Sequence, residues 1–432
     1  KVPGTDTKWT SSGTALSPET PVTLTWDNGA GLVFTRTISI DRNYMFTLHD
    51  TVRNTGAAPI ALFPNGRIVR AEIPGGAGSS YSLREAFQGF IGSVGGGGLI
   101  TEKYSSMKPG HPHTHDGTGV WLGFSDEYWL TALIPPQDKA VNASFIKTVA
   151  GGAAHYEIEY RAPAITVPPE QTGTAETRFF AGAKEVSVLD AYADTGISHF
   201  DRAIDFGWLY FISKPIFLIL QYFNGLLGNF GLAIVLFTLI VKLLFFPLAN
   251  KSYRAMSKMK LLQPEMKKLR ERYPDDKAKQ QQEIMALYKR VGANPLAGCL
   301  PIVIQIPVFW ALYEVLYVTV AMWHAPFFGW IHDLSAPDPT SFANLFGLIP
   351  WTPPHFLMIG AWPLIMGLSM FLQQKLNPQP VDPMQAKMFL ALPIVFTYML
   401  SSFPAGLVIY WAWNNTLSIA QQWLIMHRAG AA

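Results

Sequence analysis

At 432 residues the chain is long enough for two domains, and 49% apolar with only 15% charged residues is too greasy for one soluble fold. A formal charge of +3 is too small for a nucleic-acid protein, so where the charge sits matters more than its sum. Cys299 is the only cysteine, which excludes an intramolecular disulfide, and there is no CxxC or Cys/His zinc spacing.

Lys1 is not an initiator methionine, and no signal-like apolar segment precedes the first polar stretch. The natural N-terminus, with a signal or an anchor, is expected to lie before it. Up to about residue 200 polar and apolar residues alternate. Strand-like runs cover 31–40, 44–52, 119–134, 143–149, 155–160 and 177–181. Asn28-Gly29 is a hairpin signal, and Asn54-Thr55-Gly56 closes another strand. Short alternating strands at this spacing predict an antiparallel β-sandwich over residues 1–200.

The glycine-rich stretch 89–98 is expected to be a mobile loop, because it lacks the GxxxxGK[ST] spacing and a following helix. His111, His113 and His115, with Asp116, offer metal-binding chemistry. In a Pro/Gly-rich loop such a run is expected to be solvent-exposed and unliganded. No nucleophile, base and orienting group are clustered in this half.

Residues 206–223 are apolar and aromatic but interrupted by Lys214-Pro215. They predict an interfacial amphipathic helix, assigned to 201–225, rather than a span. Counting them as a span would move the β-domain to the other side of the membrane. Five spans are then expected, at 230–248, 296–322, 356–374, 388–403 and 405–426. The first occupies the segment 226–249, and the remaining four with their loops fill 294–428.

Lys242 is the one cation inside the first span and lies about 13 Å from the Lys251 end at 1.5 Å per residue. A charge at that depth costs on the order of 2.5–3.5 kcal/mol, so it faces protein, faces a wet cavity, or snorkels its stem toward headgroups. Thr238, one turn earlier on the same face, tilts the choice toward a hydrated pocket.

The loop after this span is rich in Lys and Arg, whereas 324–359 holds neither. Lys375 and Lys387 flank the third loop and Arg428 follows the last span. Positive residues therefore alternate sides, which puts the β-domain outside and the basic loop and C-terminus in the cytoplasm.

Residues 250–293 predict a cytoplasmic helical hairpin, kinked at Pro264, turning at Pro274-Asp275-Asp276 and capped by Gly292. Its basic face, with Lys258, Lys260, Lys267, Arg270 and Arg272, reads either as positive-inside topology on a solvated surface or as a docking surface for an acidic partner, such as ribosomal RNA or anionic lipid.

Within the later spans Gln305, Asn414, Asn415, Ser369, Gln373 and Gln374 are polar. Each alone suits a helix-to-helix hydrogen bond; with Thr238 and Lys242 they also suit one polar cavity. Glu314 falls near the outer interface and reads as interfacial or bundle-packed. No span shows a broken-helix repeat, so a transporter signature is absent.

The run Asn294-Pro295-Leu296-Ala297-Gly298-Cys299-Leu300-Pro301, continuing through Gln305-Ile306-Pro307 to Ala311-Leu312-Tyr313, resembles the second conserved span of the YidC-type (YidC/Oxa/Alb) membrane protein insertases. Ala325-Pro326-Phe327, Trp330-Ile331-His332-Asp333-Leu334-Ser335 and Asp338-Pro339 resemble their outer loop. Asp382-Pro383-Met384-Gln385 and Phe403-Pro404-Ala405-Gly406-Leu407-Val408-Ile409-Tyr410-Trp411 resemble the last two conserved spans. The resemblance covers about 208–426, and the β-domain is similar in placement and type to the periplasmic domain of the bacterial members.

It implies a bacterial inner-membrane insertase and chaperone with a hydrophilic groove in the cytoplasmic leaflet, which places Lys242, Thr238, Gln305, Tyr410 and Asn414 in the groove. Relatives commonly carry arginine at the place of Lys242, so a bidentate fork becomes a point donor and looser geometry is expected. The implied partners are nascent membrane proteins, ribosomes, the signal recognition particle, the Sec translocon and membrane lipids. No covalent chemistry, cofactor, metal or small-molecule substrate is implied. Two rival readings are a channel or transporter, which needs a continuous polar path, and an envelope enzyme or sugar-binding protein acting through the β-domain.

Overall fold

Tyr156, Ile158 and Tyr160 are buried while Glu157 and Glu159 between them are not, and this period-two pattern builds the first half of the chain. The computed structural model describes residues 1–71, 87–95, 97–274, 276–292, 300–377 and 383–428. It divides into two compact units, Lys1–Asp205 with Val318–Val320, and Phe206–Tyr317 with Ala321–Ala432. Asp275, Asp382, Gly96 and the 294–299 part of the family-like motif, with Cys299, lie outside the described residues.

The first unit contains β1 (Thr10–Ser11), β2 (Val22–Asp27), β3 (Leu32–Ile40), β4 (Met45–Asn54), β5 (Ile60–Leu62), β6 (Asn65–Arg70), β7 (Gly89–Ser93), β8 (Leu99–Lys103), β9 (His113–Gly117), β10 (Trp121–Ser125), β11 (Trp129–Ile134), β12 (Val141–Ala150), β13 (Ala153–Arg161), β14 (Ile165–Val167) and β15 (Thr172–Ala183). One sheet has the order β1-β2-β3-β4-β15-β11-β10-β7-β8 and the other β6-β13-β12-β9, with β14 and β5 paired separately. All these pairs are antiparallel.

Phe90, Leu122, Phe124 and Leu133 from the large sheet meet Phe145, Tyr156, Ile158 and Tyr160 from the small one in a single apolar core. Each such side chain contributes about 1.5–3 kcal/mol by burial, so this is an antiparallel β-sandwich. At the Asn28-Gly29 turn, Gly29 takes φ +65° and the Asn28 side chain accepts from the Ala30 and Leu32 amides.

Three expectations in this half are corrected. Gly89–Ser93 is a fully buried strand, not a loop. A Cβ on Gly92 would stand 2.6 Å from the Trp121 carbonyl oxygen, so this glycine permits close approach of neighbouring backbones. The run 119–134 is two strands, β10 and β11, not one. His113 and His115 sit in β9 rather than in a free loop; His113 Nδ1 lies 3.3 Å from Glu102 Oε1 and His115 packs edge-on against Phe145. The helix α1 (Val186–Asp194) follows the last strand.

The second unit is helical: α2 (Tyr210–Leu227), α3 (Phe230–Leu244), α4 (Phe246–Leu261), α5 (Gln263–Arg272), α6 (Lys277–Val291), α7 (Leu300–Val318), α8 (Ala361–Leu376), α9 (Pro383–Leu400) and α10 (Ala405–Arg428). Among the described residues no single helix is long and apolar enough to cross a membrane; α2 and α3 pass that test together but are bent by 120°. Gly228 at φ +67° ends α2, and Asn229 caps α3 by accepting from the Leu232 amide at 3.0 Å.

Lys214-Pro215 does not interrupt α2. The proline lies early in the helix, where only the Phe211 carbonyl loses its amide partner. The run 230–248 breaks at Phe245, because Pro247 has no N–H with which to continue α3.

Pro264 in the first turn of α5 separates it from α4. Met256 and Met259 of α4, Met266 of α5 and Leu262 between them pack with Leu287 of α6 in a small core, and the Tyr288 hydroxyl donates to Met266 Sδ at 3.4 Å. Asp276 caps α6 at the Lys279 amide and Gly292, at φ +66°, ends it. Meanwhile α10 packs against α3, α4 and α8.

Candidate functional site

Lys242 lies in the last turn of α3, where its Nζ donates to Ser418 Oγ of α10 at 2.7 Å. Ser418 Oγ in turn donates to the main-chain carbonyl of Asn414 at 2.8 Å, and the Tyr253 hydroxyl of α4 lies beside it. Three helices thus converge on one hydroxyl. Among the described residues no carboxylate lies within 4 Å of the Lys242 ammonium.

Beside it is a small hollow of about 40 Å³ lined by Val241, Lys242, Phe245, Tyr253, Gln305 and Val308, among others. That volume is room for at least about one water, and Lys242, Gln305 and Tyr253 supply the polar partners such a water needs. Gln305 Nε2 donates to the buried Tyr410 hydroxyl, tying α7 to α10.

Of the five groove residues expected from sequence, Lys242 and Gln305 share the hollow. Tyr410 joins through Gln305, whereas Asn414 contributes only its main-chain carbonyl, which accepts from Ser418. Thr238 stands apart: it is buried and its hydroxyl donates to the Ile234 carbonyl of its own helix at 2.7 Å. A helical threonine can always satisfy itself in this way, so its polarity does not reach the hollow.

Ser418 and Tyr253 were not singled out from sequence. The signal was available for Ser418, since Asn414, Ser418 and Gln422 recur at i, i+4 and i+8 on one face of the helix. Their neighbours are also cross-helix pairs: Asn415 Nδ2 donates to Ser369 Oγ at 3.1 Å, Gln421 Nε2 to Asn250 Oδ1 at 3.2 Å and Gln422 Nε2 to Asn377 Oδ1 at 3.0 Å. Gln374 Nε2 donates to the Phe389 carbonyl. Glu314 is buried.

On the α4–α5 arm, Lys258, Lys267 and Arg272 are exposed, whereas Lys260 and Arg270 are half-buried. Among the described residues of the whole chain, no three His, Cys, Asp or Glu side chains are grouped to hold a metal. In the β-sandwich, Lys184 is buried with Nζ donating to Ser125 Oγ at 3.1 Å, and burial pulls its ammonium down to about 8, opposed by Asp126, Asp205 and Glu127.

Residues 222–431 match the family model described as 60Kd inner membrane protein, and residues 1–219 match the YidC periplasmic domain. Three relatives carry the name membrane protein insertase YidC. That of Mesorhizobium japonicum is 53% identical over 100% of this chain and 71% of its own length. Those of Methylorubrum extorquens and Rhizobium etli are 51% and 52% identical over 99% of this chain, each also over 71% of its own length. A crystal structure of an active YidC insertase with its first transmembrane domain resolved aligns with 93% of this chain and 75% of that one, at TM-score 0.44 and 19% identity.

Proposed function

The chain belongs to the YidC family of membrane protein insertases, and we propose that its polar step for incoming chains is the hollow beside Lys242. It is an inner-membrane insertase with a periplasmic domain, and its substrates are newly made membrane proteins.

In this reading the run 230–248, which is α3 with the start of α4, and α7, α8, α9 and α10 cross the bilayer as five spans of one bundle, although none of the described helices is long and apolar enough to do so alone; α2 lies in the interface, and the rest of the α4–α6 arm and the C-terminus face the cytoplasm. The support is the distribution of charge: a basic arm after α3, no Lys or Arg from 324 to 359, and Lys375 in the last turn of α8. The Lys242 end of α3 then belongs to the cytoplasmic leaflet.

The observation that carries the proposal is that, among the described residues, Lys242 Nζ makes one bond, at 2.7 Å, to a neutral hydroxyl. An ammonium has three donors, so this one retains capacity for an acidic or polar guest. A guest tail attracted there crosses part of the apolar barrier, and its roughly 20-residue apolar segment slides into lipid, where burial supplies the driving force. The protein makes and breaks no covalent bond in this step. The exposed Lys258, Lys267 and Arg272, with Lys260 and Arg270 beside them, serve as a docking face for the ribosome and signal recognition particle, and the Sec translocon is a further partner.

A photo-crosslinker replacing Lys242 tests the proposal. Capture of nascent membrane proteins is expected; capture of lipid alone contradicts it.

A further inference from the structure

The segment joining α7 to α8 contains no Asp, Glu, Lys or Arg from residue 339 onward, and the uncharged run continues through α8 to residue 374. Within the connection Leu345, Phe346, Leu348, Ile349, Trp351 and Phe356 are all exposed, Leu348 at 84%. Six large apolar side chains turned outward within so short a stretch are an aggregation liability in water, and such a patch marks an interaction surface.

The backbone beneath them is held. Phe346 N donates to the Ser341 carbonyl at 2.8 Å, Ile349 N to the Asn344 carbonyl at 3.1 Å and Gly347 N to Asn344 Oδ1 at 3.0 Å. Leu345 and Phe346 both sit in the left-handed region, at φ +50° and +58°, a conformation bulky residues adopt only where their surroundings impose it.

The base of the loop is tied by buried Asp338. Its Oδ1 accepts from Trp330 Nε1 at 3.1 Å and from the Thr340 amide at 3.0 Å, and its Oδ2 from the Trp362 amide in the first turn of α8 at 2.8 Å. The apolar tip is therefore presented in a defined shape and not left over from a frayed loop.

We infer that the 345–356 tip is a wedge that inserts into the outer leaflet at the boundary between headgroups and acyl chains. Phospholipid is the occupant the chemistry favours. The tip carries no Asp, Glu, Lys or Arg to pair with a protein partner's rim, its exposed Trp351 is of the type enriched at membrane interfaces with Phe346 and Phe356 adding apolar surface, and it continues without a charged break into the exposed Leu364, Ile365, Leu368 and Leu372 of α8. Seated there, it fixes the depth of the outer ends of α7 and α8. This rests on the reading of both helices as spans.

The test uses the full chain with Cys299→Ser, carrying an environment-sensitive fluorophore at Leu348→Cys, Leu368→Cys or Ser105→Cys, in phosphatidylethanolamine/phosphatidylglycerol vesicles. Leu368 reports on the span and Ser105, exposed in the β-sandwich, on water. The label at 348 is expected to show blue-shifted emission, loss of intensity with shallow spin-labelled lipid and protection from iodide, while that at 105 is quenched by iodide. Iodide quenching at 348 with a lipid-quenched 368 overturns the wedge and leaves the spans standing. Iodide quenching at both overturns the span reading as well. Protection at 348 from both quenchers means that protein, not lipid, covers the tip, and also overturns the inference.

Discussion

Lys242 and Ser418 are joined at 2.7 Å across α3 and α10, and the serine hydroxyl donates back to its own helix at the main-chain carbonyl of Asn414. A cation in an apolar bundle is thus held by a neutral acceptor rather than a carboxylate. Its charge is positioned without being neutralised, a condition for drawing in a negatively charged guest.

Replacing Ser418 by Ala leaves the ammonium without that acceptor. Thermal unfolding of the protein in nanodiscs should show a loss of about 1–3 kcal/mol. Adding Lys242→Met should recover part of it, because the half-buried charge is gone; strict additivity of the two changes would show that the pair is not coupled.

The arm divides into exposed and half-buried cations. Lys258→Gln, Lys267→Gln and Arg272→Gln together should weaken ribosome co-sedimentation by roughly tenfold at low salt, with the difference shrinking as salt rises. The unfolding temperature should stay unchanged, since these side chains contribute little to the Met256–Met266–Leu287 core.

Lys184 gives the β-sandwich a defined alkaline behaviour. Its folded value is about 8 against 10.5 for the free side chain, so between these limits the unfolded chain binds more protons and stability rises with pH. The buried charge costs on the order of 3 kcal/mol at pH 7. Lys184→Met should raise stability at neutral pH and remove the rise between about pH 8 and 10.5 in calorimetric scans.

At Gly367 in α8 a Cβ would collide with Thr397 of α9. Gly367→Val should separate these helices and cost about 1–3 kcal/mol by overpacking, read as a lower unfolding temperature and faster proteolysis near α9.

The two-part architecture was legible in the sequence because strand alternation and apolar runs are local signals. Tyr156, Ile158 and Tyr160 announce their strand; Gly89 and Gly92 do not, since a glycine chosen for close backbone approach leaves no side-chain pattern. Lys242 was legible as an anomaly of charge, and Gln305 and Asn414 as anomalies of polarity. Ser418 carries a periodic signal with Asn414 and Gln422, but a helical serine can satisfy itself, and its meaning emerges only when α3 delivers Lys242 to its hydroxyl. Thr238 misled for the same reason.

The most direct test of the central claim compares Lys242→Glu with the unaltered protein in insertion of two clients that differ only in an acidic or a neutral translocated tail. Electrostatic attraction predicts that insertion of the acidic-tailed client falls by roughly tenfold or more while the neutral-tailed client is affected far less. Equal loss for both clients would contradict direct attraction at Lys242.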